Sequence, residues 1–516
     1  MVVQSAMNFQ FFWYATLFLV SFLIIKTMVY IRKRSKLPPG PIALPVVGHL
    51  HLLSPSIHQT FHKLASIYGP LMYFRIGSNE CIVASTPEVA KELLKTHELT
   101  FSARPLTAAI EHVTYNSSFS FSPMGPYWKF IKKLSSFELL GSRNLTQFLP
   151  VRTKELHHFI NFLLEKSKTG ETVNVTEELL KLTNNVISQM MLGIRCSGTG
   201  DEADGVRNLA REVTKIFGEF NVSDVIWLCK HLDLQGFRKR FEDIHRRFDA
   251  LLEKIISDRE HARKNKKRGD DEVKDFLDLL LDAFEDAHAE VQITRNHIKA
   301  LLLDFLTAGT DTTASAIDWA FAEIINNPEV LRKTQKEIDE VVGKTRLVQE
   351  SDTPRLPYLQ AVIKETFRLH PPVPMVNRKA IKEFNLNGYT IPAESLLFVN
   401  VWSIARDPKL WEDPLKFQPE RFLKSDIDVK GLHFQLLPFG TGRRGCPGSS
   451  LAREELSATL AAMIQCFDWK VVAETPNTGG GGGCVDMTER PGLAVPRAKS
   501  LKCVPVARFT PTLFST

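Results

Sequence analysis

Phe439-Gly440-Thr441-Gly442-Arg443-Arg444-Gly445-Cys446-Pro447-Gly448 is the stretch on which the reading of this chain turns. Taken for its glycines, it satisfies the G-x-G-x-x-G pattern of dinucleotide-binding turns, with Gly440, Gly442 and Gly445 in register. That pattern works only inside a βαβ unit whose second strand ends on an acid. A long helical pattern over 449–464 follows here with no such strand behind it, so the dinucleotide reading fails. Taken around its cysteine, the stretch makes chemical sense. A thiol serves as a ligand only as thiolate, and helix N-terminal amides and nearby cations favour that form. Cys446 stands just before the helical pattern, with Arg443 and Arg444 beside it. The glycines let the backbone pass close to a flat ligand, and Phe439 offers an apolar cover for the sulfur.

Three other motifs gain meaning beside this one. Glu365-Thr366-Phe367-Arg368 sets an acid and a base three apart on one helix face, and Pro419-Glu420-Arg421-Phe422 lies further along. Ala308-Gly309-Thr310-Asp311-Thr312-Thr313 falls inside the helical pattern 294–325, where a glycine weakens the helix and threonine hydroxyls can bond back to the preceding turn and bend it. Trp128 and Lys132 stand one turn apart on a helix that follows Pro126.

The pattern Phe-x-x-Gly-x-Arg-x-Cys-x-Gly, with these companions, resembles the cytochrome P-450 family over essentially the whole chain. The resemblance implies a mainly α (α+β) fold with small β-sheets. It implies haem b held by the Cys446 thiolate, an axial ligand that pushes electron density onto the iron and favours O–O cleavage. Asp311 and Thr312 then become the pair that delivers protons during oxygen activation. Trp128, Lys132, Arg378 and Arg444 match positions that hold the haem propionates; lysine at 132 replaces the family's arginine, so a bidentate grip becomes a point charge. Glu365, Arg368 and Arg421 match a structural ion network behind the cysteine loop. The implied reaction takes O2 and electrons from NADPH through NADPH–cytochrome P450 reductase. A haem-thiolate isomerase shares the cysteine loop but has no use for Asp311 and Thr312; a haem carrier needs neither that pair nor a substrate pocket.

Outward from the motifs, the chain of 516 residues reads as an N-terminal membrane anchor (1–31), a basic and proline-rich hinge (32–48) and one catalytic domain (49–516). Residues 11–31 are almost wholly apolar, long enough to span a bilayer. A cleaved signal peptide is the alternative, but no basic segment precedes the run. Arg32, Lys33, Arg34 and Lys36 follow it, which puts the catalytic body in the cytosol, on the endoplasmic reticulum membrane. The two prolines of Leu37-Pro38-Pro39-Gly40-Pro41 stiffen the connection. A net charge of +7, spread along the chain without a basic arm, sets nucleic acid aside. Seven scattered cysteines without a CxxC exclude a disulfide framework and a zinc site, and the six besides Cys446 read as small buried hydrophobes. Helical patterns cover 87–97, 151–166, 173–192 and 241–264; strands are expected at 71–76 and 81–84 around a Gly77-Ser78-Asn79 turn, and at 385–391 and 395–401. The charged stretch 263–272 reads as a solvated loop, and the glycine run 479–483 as a surface loop.

Two stretches narrow the resemblance. Val175-Thr176-Glu177-Glu178-Leu179-Leu180-Lys181-Leu182-Thr183-Asn184-Asn185-Val186-Ile187-Ser188-Gln189-Met190-Met191 and Ile216-Phe217-Gly218-Glu219-Phe220-Asn221-Val222-Ser223-Asp224 resemble the plant flavone synthase II and flavanone 2-hydroxylase subfamily. By that likeness the substrates are flavanones such as naringenin and the product is a flavone. The alternatives are a 2-hydroxyflavanone, or the product of another phenylpropanoid or isoflavonoid hydroxylase. Phe217, Phe220 and Phe305 are expected either to face the pocket or to belong to the core.

Overall fold

The computed structural model describes residues 13–14, 21, 36–196, 201–265, 273–472 and 484–508. The body is mainly helical. Its helices of nine residues or more are α1 (Ile57–Tyr68), α2 (Pro126–Leu134), α3 (Leu149–Thr169), α4 (Val175–Leu192), α5 (Asp201–Gly218), α6 (Phe237–Asn265), α7 (Phe276–Glu285), α8 (Arg295–Asn326), α9 (Pro328–Val341), α10 (Pro357–Leu369) and α11 (Ser449–Cys466). Local chemistry sets many of their ends. Proline opens α2, α9 and α10, where its missing N–H costs nothing. Thr294 and His297 form a reciprocal capping box at the start of α8. Left-handed Gly170 and Gly193 close α3 and α4.

α8 is the axis of the fold. Over 298–306 and 313–324 nearly every side chain is buried, because α4, α5, α7, α10 and α11 pack around it. Such all-round burial explains why this helix carries almost no amphipathic stripe in its sequence.

The strands are short. β1 (Leu71–Ile76) and β2 (Asn79–Ala84) form a hairpin, β2 pairs parallel with β7 (Leu396–Val399), and β7 pairs antiparallel with β4 (Val376–Lys379). Asn79 pairs with Ile76, so the hairpin turn is Gly77-Ser78, one residue shorter than expected. The segment expected as one strand over 385–391 is a hairpin of β5 (Phe384–Leu386) and β6 (Tyr389–Ile391). A third sheet joins β3 (Val173–Asn174), β9 (Lys502–Ala507) and β8 (Phe467–Val471).

Other readings need correction. Within the segment read as a hinge, 36–48 is docked on the sheets. Tyr73 N donates to Pro39 O at 2.8 Å and Thr390 N to Lys36 O at 2.6 Å, while a Cβ at Gly40 would collide with Tyr73 O. Arg263 and Lys264 belong to the last turn of α6, Arg263 pairing with Asp282; 266–272 of that charged stretch lie outside the described residues, as do most of the anchor and the glycine run. Cys81, Cys196, Cys466 and Cys503 are buried, but Cys229 is half-buried and Cys484 exposed. The helical pattern 87–97 is an α-helical turn running into a wider turn closed by His97 N to Glu92 O at 2.9 Å.

Candidate active site

The cysteine loop is shaped by its own backbone. Cys446 N donates to Phe439 O at 2.9 Å, pinching the eight-residue stretch closed. The turn requires left-handed backbone at Gly440 and Gly442; a Cβ at Gly442 would meet the Glu98 carboxylate. Thr441 Oγ1 donates to Gly431 O at 2.7 Å and fixes the loop from outside. Phe439 packs edge-on against Phe367 of α10, ring centroids 5.0 Å apart. Cys446 thus stands just before α11, and the Gly448 N–H points at its sulfur.

Cys446 is solvent-accessible, yet protein surrounds it closely enough that burial pushes its thiol pKa up. Both hold for a sulfur on the floor of a cleft. The Gly448 amide, Lys132 and Arg104 act the other way and favour thiolate. This corrects the expectation that Arg443 and Arg444 do so. Arg443 turns to Glu98, and Arg444 bonds to the carbonyls of Ser102 (3.1 Å) and Ser122, with its guanidinium 4.8 Å above the Trp128 ring.

The walls of the cleft carry positive charge that no acid pairs directly among the described residues; Asp304 acts on Arg104 and Glu98 on Arg378 from longer range. Arg444 Nη1 and Arg104 Nε are buried and have no hydrogen-bond acceptor among the described residues. Arg378, on β4, bonds among the described residues to the carbonyl of Asn377 at 2.9 Å. Burial, with Arg104 and Arg444 nearby, drives the Arg378 pKa well down; burial and Arg104 bring Arg444 to about 10. Burial lowers the Lys132 pKa, Cys446 opposes that shift, and Arg444 adds to it. Two buried guanidiniums, Arg378 and Arg444, with the half-buried Arg104 and Lys132, repel one another and would be stabilised by an anion set among them. Arg104 escaped the sequence reading. It is brought here because Ala103 bridges Lys379, next to Arg378, a pairing across most of the chain. Trp128 is buried in the same wall, its ring stacked with Phe119, which stacks in turn on Phe305.

α8 adjoins this wall through Phe305. Ala308 is exposed, and Thr307, Gly309, Asp311 and Thr312 are half-buried, in the middle of an otherwise buried helix. Empty space therefore lies beside this turn. Thr312 Oγ1 donates to Ala308 O at 2.7 Å, and Thr307 and Thr310 bond back in the same way. Burial raises the Asp311 carboxyl above its ordinary range, against the pull of Thr214, Arg211 and Arg490.

Behind the loop, Glu365 and Arg368 are fully buried and paired through two bonds of 2.7 and 2.8 Å; Arg421 Nε joins Glu365 at 3.0 Å. Of the phenylalanines, Phe305 is core, Phe217 packs at its edge against Phe121, and Phe220 is exposed.

The family model for cytochrome P450 matches residues 38–482, which contain every one of these groups. This chain belongs to the cytochrome P450 family. Members use a haem with a cysteine thiolate, O2 and NADPH-derived electrons, and the charge set found here, a thiol facing unpaired cations, fits a flat dianionic macrocycle. Cytochrome P450 93B2 of Gerbera hybrida is 58% identical over 498 residues, covering 95% of this chain and 96% of that one. The 3,9-dihydroxypterocarpan 6A-monooxygenase of Glycine max is 48% identical over 96% of this chain and 97% of its own length. The 2-hydroxyisoflavanone synthase of Glycyrrhiza echinata is 46% identical, covering 93% and 94%. A zebrafish cytochrome P450 structure with abiraterone superposes with a TM-score of 0.71 at 25% identity, over 88% of this chain and all of that one. The chain is a plant-type P450 monooxygenase.

Proposed function

We propose that the chain converts flavanones to flavones, with Cys446 holding the haem iron. The observation that carries the site is the group of Arg104, Arg378, Arg444 and Lys132, without a direct ion pair among the described residues, around one accessible thiol. These cations, with the Trp128 N–H, would hold the two propionates, and Phe439 would shield the sulfur. When bound, the haem supplies activation of O2 and hydrogen abstraction from an unactivated carbon. The chain's part is to position and to move protons. Asp311, its carboxyl raised by burial, carries a proton closer to neutrality than a surface acid does, and Thr312 passes it into the cleft. Glu365, Arg368 and Arg421 hold the loop from behind.

The substrate reading rests on likeness to relatives named for isoflavanone and pterocarpan oxidation, and on the 175–191 and 216–224 stretches. A flavanone gives up one hydrogen at C2 and one at C3; with O2, two electrons and two protons the products are a flavone and two waters. A ~1.4 kcal/mol barrier difference between loss of the second hydrogen and return of hydroxyl to C2 biases the product tenfold. The test is a short incubation of membranes containing this chain and a plant reductase with naringenin, extracted without acid. Apigenin as the early product supports the proposal. 2-Hydroxynaringenin, with apigenin appearing only after acid, makes it a flavanone 2-hydroxylase.

The same reading puts the chain on the endoplasmic reticulum membrane by its N-terminal run, with a cytosolic body that meets the reductase. Among the described residues no helix is long and apolar enough to cross a membrane. Exposed Ile42, Leu44 and Val46 lie near exposed Trp227 and Leu228, since Gly77 N donates to Val47 O and Ser78 N to Val225 O; an apolar patch there suits a membrane surface.

A further inference from the structure

The 175–191 stretch served above only as a mark of kinship, yet α4 makes contact with α8 at the turn that carries the acid–alcohol pair. Thr183 Oγ1 lies 3.1 Å from Thr310 O, and Asn184 Nδ2 donates to Thr310 Oγ1 at 3.2 Å. One residue earlier, a Cβ on Gly309 would fall 2.8 Å from Ile187 Cγ1, so the two helices approach as closely as a glycine permits. Thr183, Asn184, Ile187 and Thr310 are all buried.

The carbonyl of Thr310 is the one the helical ladder assigns to the amide of Ala314. A second donor from outside draws such a carbonyl off the helix axis, and inserted side chains are a recognised cause of helix bends. α8 is easily bent here, because Thr307, Thr310 and Thr312 each bond back to a carbonyl one turn earlier. Thr183 has one proton and three carbonyls in reach, Leu179 O at 3.1 Å, Leu180 O at 3.3 Å and Thr310 O at 3.1 Å. Only the third couples the helices.

We propose that Thr183 and Asn184 are positioning residues for proton delivery: by holding Thr310 from α4 they fix the pitch of α8 at the next two residues, and so the direction in which Asp311 and Thr312 present their protons to the cleft. This rests on the role given above to Asp311 and Thr312. Neither α4 residue touches substrate or haem; Thr183 acts on the Thr310 carbonyl, and Asn184 on the Thr310 hydroxyl, which itself bonds back to Leu306 O.

The experiment measures product formed and peroxide released per NADPH consumed, in reductase-containing membranes, for Thr183→Val, Thr183→Ser, Asn184→Leu and Thr312→Ala. Valine keeps the volume and removes the proton. Thr183→Val is expected to keep the thiolate carbon monoxide spectrum and the KM for substrate. Product per NADPH should fall about fivefold, as one lost hydrogen bond of ordinary strength allows, with peroxide making up the difference. Serine, which restores the hydroxyl, should restore coupling. If Thr183→Val loses the spectrum by misfolding, Asn184→Leu carries the same expectation. Wild-type coupling in whichever variant keeps its spectrum, beside an uncoupled Thr312→Ala, overturns the inference and leaves the acid–alcohol reading intact. Wild-type coupling in Thr312→Ala overturns both.

Discussion

Replacing Arg368 by alanine should cost the protein its haem site, and the structure sets the scale. The guanidinium is fully buried and makes five hydrogen bonds: two to Glu365, and one each to the carbonyls of Ala405 (2.7 Å), Pro414 (2.6 Å) and Lys416 (3.2 Å). Its removal leaves the Glu365 carboxylate, also fully buried, with only Arg421 and the Gln418 amide. Stripping one partner from a buried ion pair costs about 3–5 kcal/mol. Each stranded carbonyl that water cannot reach adds about 1 kcal/mol or more. Against a total stability of about 5–15 kcal/mol, that loss frees the 412–421 segment, which the guanidinium ties to α10. Arg368→Lys should recover little, because a point charge cannot make five directed bonds. The assay is the fraction of purified protein giving the thiolate carbon monoxide spectrum, together with the denaturant midpoint of that fraction. Haem content and a midpoint like wild type in Arg368→Ala would refute the reasoning.

The charge set around Cys446 makes a paired prediction. In Arg104→Leu the haem-free protein should become more stable, since one of four clustered cations is gone, while haem affinity falls about tenfold with one charge-assisted contact; denaturant midpoints of both forms check it, and a fall in both would contradict it. Glu455, buried on α11 beside a cavity lined also by Arg152 and Glu350, has an Oε1 without a partner among the described residues, and burial lifts its pKa from 4.5 to about 8. The folded state then binds a proton that the unfolded state has released, so this group's contribution falls as pH rises from 4.5 to about 8, by about 1.4 kcal/mol per unit at most. Glu455→Gln should flatten the melting temperature over that window; an unchanged slope would show that the carboxyl is ionised in the fold. A cytosolic body leaves Asn116, Asn144, Asn174 and Asn221, all in N-x-S/T sequons, unglycosylated in yeast; a mobility shift on glycosidase treatment would reverse the topology.

What could be read from the sequence was what depends on neighbours along the chain. The glycines around Cys446 announce a loop because the turn demands left-handed backbone there, and the threonines of 307–312 announce a bent helix because their hydroxyls compete with the ladder. The pairing of Glu365 with Arg368 follows from helical spacing, but that both are fully buried does not. What escaped depends on distant strands. Arg104 sits in a segment with no pattern of its own and reaches the cysteine cleft only through the bridge from Ala103 to Lys379. The 36–48 segment reads as a stiff hinge, and only the structure shows it docked, with the Pro39 and Lys36 carbonyls accepting from Tyr73 and Thr390. Assigning the thiolate-favouring charge to Arg443 and Arg444, rather than to Lys132 and Arg104, was an error of the same origin: adjacency in sequence is not adjacency to the sulfur.

The central claim is that Cys446 holds the iron, and one spectrum tests it most directly. Cys446→Ser replaces a thiolate with a hydroxyl of similar shape and leaves the cations, Trp128 and the Glu365 network in place. The account predicts that the reduced protein with carbon monoxide loses the red-shifted Soret band of a thiolate-ligated haem while wild type, prepared alongside, shows it. Persistence of that band in Cys446→Ser would mean that another residue holds the iron.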